Sequence, residues 1–381
     1  MATGTVSTYD LTVGVKLDFE DFIYTLTAVD VPLLGARNGT NTPPGPERAV
    51  FAQEPAMAKK VEWMDEELLT PRTTLAATLT TADTVLTVAS GARIKFATAD
   101  IIRIDSEIIR IAGYGTTTDT LLITRAFGGS DAQHSNASQV IGVGSAAAEG
   151  SDPSAHRFQD RTARYNLTEI FGPWEVKVSE TEETIAGKGG KYGLSSEFDH
   201  QVANRMKEIM VAMEQAIIYG VRVDDTTNEW RSMGGLAYFI TTNVDSTTTN
   251  TIGLSAVRTQ AQASYNNGGM VDLLLVPPTQ KTRISDIDST LVRLTREGRT
   301  RGSIVGELET DFGVMDILMD RWLRSTDAFG LDSQYISTVT LRPLVFEMLA
   351  KTGDSRRGEV VAEKSMKVRL ETRHFKFTAL T

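Results

Sequence analysis

The chain has 381 residues, 41% of them hydrophobic and 23% charged, the composition of a folded protein long enough for two or three domains. It has no cysteine, which excludes disulfides and thiolate metal sites and agrees with synthesis in a reducing cytoplasm. The net charge of −10 argues against a dedicated nucleic-acid binder, which is ordinarily basic.

The charge is unevenly placed. Residues 1–70 carry 5 Lys and Arg against 11 Asp and Glu, a net of −6, whereas residues 351–381 carry 8 against 4, a net of +4. The run Arg293, Arg296, Arg299 and Arg301 has only Glu297 set against it. Such segregation reads either as solvated faces or as complementarity between neighbouring copies, and the sequence leaves both open. Met1–Asp10 has no basic or apolar stretch of the secretory kind, and no apolar run is long enough to span a bilayer.

Residues 1–60 hold few strong elements. Phe19 to Leu26 reads as a short helix with Phe19, Phe22, Ile23 and Leu26 on one face, and a loop follows around Pro43, Pro44 and Pro46. So acidic and irregular a start has too little apolar sequence to fold alone and reads as an arm lying on another surface, such as a neighbouring subunit. Val61 to Thr70 is an exposed strand or short helix with Trp63 as its aromatic anchor, packed locally or at an interface. From residue 72 to 145 the texture changes: 14 Thr lie between Thr70 and Thr124, and short alternating strands recur at Thr84–Val88, Ile101–Asp105, Ile108–Ala112, Leu121–Arg125 and Val140–Val143. That pattern predicts a small β-barrel or sandwich inserted between loop-like flanks.

Ala146–Pro153 is a linker, Phe171–Val178 a turn into an extended strand, and Ala186–Gly193 a flexible glycine-rich loop. A long helix then opens at Ser195 or Ser196, where Ser196 and Asp199 resemble a capping box with Asp in place of Glu. Phe198, Val202, Met206, Ile209, Met213, Ala216 and Ile217 form one stripe, so the helix runs to about Gly220, on the order of 35–40 Å. Beyond it, helices at 253–265 and Lys281–Leu294 alternate with strands at Met270–Val276 and Val314–Met319, implying an α/β subdomain. Strands at Gln334–Val339 and through Glu359–Phe377 end the chain.

Catalytic chemistry finds little support. His134, His156, His200 and His374 share no metal-ligand spacing and read as structural or solvated. Gly187-Lys188-Gly189-Gly190-Lys191-Tyr192 lacks the first glycine and the hydroxyl residue of a phosphate loop, and a nucleophile elbow is absent. Asp105 and Glu107 flank Ser106 at a hairpin tip, where paired carboxylates have no evident partner. Met206, Met210 and Met213 read as packing residues of the long helix.

Taken in order, several segments resemble the major capsid proteins of tailed bacteriophages of the Hong Kong 97 type. They are Glu62-Trp63-Met64-Asp65-Glu66-Glu67-Leu68, the long helix, Met233-Gly234-Gly235-Leu236, Phe312-Gly313 with Ile317–Leu323, Arg342-Pro343-Leu344, Lys351-Thr352-Gly353-Asp354 and Val360–Glu363. The resemblance implies an α+β Hong Kong 97-type fold. Its parts would be an N-terminal arm (1–50), an extended loop (51–72 and 146–192), and a peripheral domain with the long spine helix and C-terminal strands (193–230 and 341–381). An axial domain (231–340) and an inserted all-β domain (73–145) complete it. It implies no enzyme and no cofactor, but self-assembly into pentamers and hexamers of an icosahedral shell around double-stranded DNA, touched non-specifically, in the host bacterial cytoplasm. A portal and a decoration protein would be further partners, with no membrane. No long helical N-terminal scaffolding segment is present, which implies a separate scaffolding protein, and no residues for covalent crosslinking can be placed. Candidate interface residues on this reading are Arg37, Trp63, Asp65, Glu66, Glu67, Lys188, Lys191, Arg293, Arg296, Arg299, Arg301, Arg321, Arg356 and Arg357. The alternatives are an encapsulin-like protein cage or another virion component such as a decoration or tail protein.

Overall fold

The computed structural model describes residues 31–34, 50–146, 148–150, 161–189, 196–247, 252–286 and 306–381, with backbone alone for 186–189. The expected helix at Phe19–Leu26, the Pro43–Pro46 loop and the end of the helix expected to reach Leu294 lie outside the described residues. The chain forms two compact units, one of residues 1–63 and 164–381 and the other of residues 64–163.

Strand β1 (Ala52–Pro55) is followed by β2 (Lys60–Glu66), on which the chain passes into the second unit. There β3 (Arg72–Thr74), β4 (Val85–Thr87), β5 (Asp100–Ile104), β6 (Glu107–Tyr114), β7 (Thr120–Thr124) and β8 (Gln139–Ser145) form a sheet of order β3-β8-β5-β6-β7-β4. Leu75 bridges Val88, the amide of Ala76 donates to the Thr87 carbonyl, and that of Ala89 donates to Thr74, so the outer strands meet. The sheet is therefore a closed barrel, which leaves it without exposed edges. Alternation explains its core: Ile102, Ile104, Ile109 and Ile111 point inward and are fully buried with Leu86, Phe96, Leu121 and Val140. The β5–β6 turn is Asp105-Ser106, with Asp105 at φ 51°, a left-handed conformation that Asp tolerates.

The chain returns on β9 (Arg161–Leu167), which pairs with β2. In the first unit, β10 (Glu169–Ser179) leads into helix α1 (Glu180–Gly189) and helix α2 (Glu197–Tyr219). Residues 186–189 are thus helical where a flexible loop was expected; three glutamates in the first turn favour a helix start there, which the glycines alone conceal. Helix α2 is the long helix the apolar stripe predicts. Its Ser196 cap accepts from the Asp199 amide at 3.1 Å, but the carboxylate at its open end is Glu183, not Asp199. Glu183 accepts from the Phe198 amide at 3.0 Å and from the Ser196 hydroxyl at 2.7 Å. Ile209, Met213, Ile217 and Ile218 bury against Phe171, Val360, Ala362 and Met366.

After α2 come the hairpin β11 (Val223–Asp225) and β12 (Trp230–Ser232), the short helix α3 (Leu236–Phe239) and β13 (Val244–Asp245). The Met-Gly-Gly-Leu segment crosses the end of α2: the Gly235 amide donates to the Gly220 carbonyl at 2.8 Å, and a Cβ on Gly235 would sit 2.6 Å from the Ala216 carbonyl oxygen. Only glycine allows that approach.

Helix α4 (Leu254–Asn266), β14 (Leu273–Val276), helix α5 (Pro278–Asp286), β15 (Glu307–Thr310), β16 (Gly313–Met319) and β17 (Ala328–Leu331) follow. The chain ends in β18 (Ile336–Met348), β19 (Ser355–Val368) and β20 (Phe375–Phe377). Two sheets result, a four-stranded one of order β1-β18-β19-β10 and a six-stranded one of order β13-β20-β17-β14-β16-β15. Every residue of β14 is buried, as its unbroken apolar run requires of a central strand. β18 continues through Pro343 at a point where its register against β19 shifts, so the strand is far longer than its alternating half, Gln334–Val339, suggested. β1 and most of β10 belong to this main sheet, although both fall in the span expected to be the extended loop.

Gly235→Ala should destabilise the protein by about 1–3 kcal/mol through overpacking against α2, and Ile217→Ala by about 2–5 kcal/mol through a cavity, both measured by denaturant unfolding. Removing residues 73–144 should leave a folded first unit, seen as retained far-UV circular dichroism and cooperative unfolding; loss of soluble folded protein would contradict the inserted-domain organisation.

Candidate assembly surfaces

The charged residues of the first unit tie its strands together. Glu363 on β19 is buried and accepts from Thr168 at 2.7 Å, from Arg342 on β18 at 3.0 Å and from Arg231 on β12, which also donates to the Thr168 carbonyl at 2.7 Å. Glu54 on β1 takes Lys367 and Arg369, each at 2.6 Å. Burial alone would raise the Glu54 carboxyl, but those two cations and Ser337 hold it down at about 2. Glu214, fully buried on α2, accepts from the Leu33 amide at 2.8 Å.

Two sequence-predicted interface residues belong to this internal network. Arg356 donates to Glu183 at 2.9 Å and lies over the Phe198 ring at 4.7 Å. Arg357 donates to Glu175 at 2.5 Å and to Thr352 at 2.9 Å. Arg356 thereby ties β19 to α1 and to the start of α2, and Arg357 ties it to β10. Trp63 is buried, its ring 5.7 Å from that of Phe239, so it packs within the chain rather than presenting an anchor outside it. Its indole N–H finds no acceptor among the described residues.

The acidic stretch after Trp63 is different. Glu66 and Glu67 are exposed and Asp65 half-buried; Glu66 accepts from Arg161 at 3.2 Å across the β2–β9 ribbon, a solvent-exposed pair of small energetic weight. Arg321 is exposed just beyond β16. Arg37, Lys191, Arg293, Arg296, Arg299 and Arg301, and the side chain of Lys188, lie outside the described residues.

Sequence reasoning missed the exposed apolar groups. Trp230 is 70% exposed, and register places it on one face of its hairpin with Val223, since Trp230 pairs with Asp225 and Val223 with Ser232. Met57 and Leu68 are also almost bare. The turn residues around Trp230 gave no periodicity from which its exposure could be read.

The carboxylates at the β5–β6 turn acquire partners. Glu107 is fully buried and accepts from Arg125 Nη2 at 2.6 Å and Nε at 2.7 Å, from the Ala126 and Ala132 amides, and lies 2.9 Å from His134 Nε2. His134 Nδ1 lies 2.7 Å from Asp105. Burial would raise Glu107, but Arg125, His134 and the two amides outweigh it and hold the carboxyl at about 2. So tightly held a carboxylate is a clamp for the 125–134 loop and a poor proton acceptor. Among the described residues no group of three His, Asp or Glu gathers as a metal site, and no helix is long and apolar enough to cross a membrane.

Among the described residues, the polar groups detailed above serve the protein's own scaffold, and exposed charged and apolar side chains lie on its surface. Two solved structures share the fold. A chain from Microbacterium phage Oxtober96 superposes with a TM-score of 0.54 at 11% identity, covering 98% of this chain and 99% of that one. The capsid of Myoviridae phage XM1 superposes at 0.51 with 10% identity, covering 99% of each. No curated protein matches the sequence. The model of the SU10 major capsid protein family matches residues 2–381, and the chain belongs to that family. It is a major capsid protein with the Hong Kong 97-type fold of tailed phages.

Two acid responses separate the units. Glu107 is near 4.5 when unfolded and about 2 when folded, so its stabilisation is complete above pH 4.5 and is lost as the pH falls toward 2. Glu107→Ala, which strands Arg125, should cost about 3–5 kcal/mol at pH 7 and far less at pH 2–3. In the first unit His374 Nδ1 accepts from the Asp332 amide at 3.1 Å, and burial, against the pull of Asp332, pushes the imidazole down to about 4 from 6.5. The unfolded chain takes that proton first, so stability falls between pH 6.5 and 4. His374→Gln should flatten that slope in denaturant midpoints measured across the range.

Proposed function

We propose that many copies of this chain self-assemble into pentamers and hexamers of an icosahedral shell that encloses a phage double-stranded DNA genome. The observation that carries this reading is the family match along residues 2–381. The protein acts through geometry and is not an enzyme. Repeated heterologous contacts close the shell, and multivalency makes weak single contacts sufficient.

On this reading residues 1–50 form an arm and 51–72 with 146–192 the extended loop, less the strands that join the main sheet. Residues 73–145 are an inserted barrel. The peripheral domain comprises 193–230 and 341–381, and the axial domain 231–340, meeting its copies at the capsomer centre. Assembly takes place in the host bacterial cytoplasm with a separate scaffolding protein, a portal and a decoration protein as partners. Genome contact is non-specific and weakens with salt, as befits a chain with a net charge of −10. The exposed Glu66, Glu67, Arg321 and Trp230 and the half-buried Asp65 are the interface candidates, together with Arg37, Lys188, Lys191 and the arginines at 293, 296, 299 and 301.

Electron microscopy of the purified protein, with and without crowding salt, tests the reading. Capsomer rings or closed shells are expected. A discrete monomer under every condition, including co-expression with the phage's scaffolding protein, would overturn it.

A further inference from the structure

On the outer side of the barrel, cations on β3, β5 and β6 interleave with aliphatic groups. One row crosses four strands as Arg72, Ile141, Arg103 and Ile108, because Arg72 and Arg103 both pair with Ile141, and Arg103 with Ile108. The next row holds Ile101, Arg110 and Thr124. Neighbouring strands lie about 4.8 Å apart, so these side chains share one patch. Val143 is 60% exposed and Ile141 36%.

No carboxylate stands at an outward position of these strands; the two acids on them, Asp100 and Glu107, are buried. Arg103 and Arg110 donate from Nε to the carbonyls of Asp105 and Ala146. Neither they nor Arg72 has a carboxylate partner among the described residues. The patch therefore presents three unneutralised guanidinium groups among exposed aliphatic side chains, in a chain that is acidic overall.

The complementary chemistry is in the same sequence. Asp18-Phe19-Glu20-Asp21-Phe22-Ile23-Tyr24-Thr25-Leu26 supplies three carboxylates and four large apolar groups that a helix would gather on one face, and residues 17–36 contain no Lys or Arg. We propose that the barrel's Arg72–Arg103–Arg110 patch is the docking surface for residues 18–26 of a neighbouring copy. The proposal rests on the shell reading: a modest amphipathic contact made by every copy to its neighbour gains strength from repetition. A phosphate backbone would engage the arginines and leave the aliphatic groups bare, whereas an acidic apolar segment covers both.

The absence of native cysteine makes a direct test clean. Chains carrying Glu20→Cys and chains carrying Arg103→Cys are co-assembled and oxidised. A disulfide joining one chain of each kind is expected, at least about tenfold more abundant than in a control pairing Glu20→Cys with Thr247→Cys on exposed surface elsewhere. A chain bearing both substitutions should give a multi-chain ladder. An intrachain bond alone, or shells that form without the mixed disulfide, overturns the docking and leaves the shell reading intact; unsubstituted protein that never forms rings or shells defeats the shell reading instead. As a second measurement, Arg72→Glu, Arg103→Glu and Arg110→Glu together should slow assembly about tenfold, with recovery on adding Glu20→Arg and Asp21→Arg. Unchanged assembly, or loss of retained DNA alone, also overturns the proposal.

Discussion

A carboxylate buried in the middle of a sheet must be answered by donors, and Glu363 is answered from three directions, by Thr168, Arg231 and Arg342. Such a group adds little net stability, because desolvation cancels most of the attraction. What it adds is register. β18 and β19 are long, and a slip by one residue would leave Glu363 buried without its partners, an error far costlier than the loss of an apolar contact. The Glu54 pairs with Lys367 and Arg369 act likewise on β1, the one parallel neighbour of β18. The main sheet is thus aligned by charge and stabilised by the apolar face of α2.

That division of labour explains which parts of the fold were legible. The stripe from Phe198 to Ile217 is a property of sequence alone, and the helix runs from Glu197 to Tyr219 as it requires. The barrel strands were equally readable, since Ile102, Ile104, Ile109 and Ile111 alternate with outward groups. Closure was not readable, because it depends on Leu75, in sequence that carries no strand signal, meeting Val88 at the end of an expected strand. α1 was hidden by glycines at its end, and the second half of β18 by Pro343, whose cost is absorbed at a register shift.

The surface residues were the least legible. Arginine in a sequence does not declare whether it is bound inside its own chain, and Arg356 and Arg357 are. Trp63 and Trp230 show the same ambiguity from the apolar side: one is buried beside Phe239, the other stands in solvent. Four of the candidate arginines fall in 293–301, beyond the described residues. An acidic segment and a basic patch could be found separately in the sequence, but only strand register shows that Arg72, Arg103 and Arg110 share one side of one sheet.

The ribbon of β2 and β9 carries a different lesson. The chain enters and leaves the barrel on two strands hydrogen-bonded to each other. To the rest of the protein, residues 67–160 between them amount to a closed hairpin, whatever they contain. Loop-closure entropy grows only slowly with length, and here the ends are already held together. A module placed on such a stem can be enlarged, replaced or dispensed with over evolutionary time while the folding problem of the host unit stays the same, which makes the stem a socket in the gene as much as in the fold.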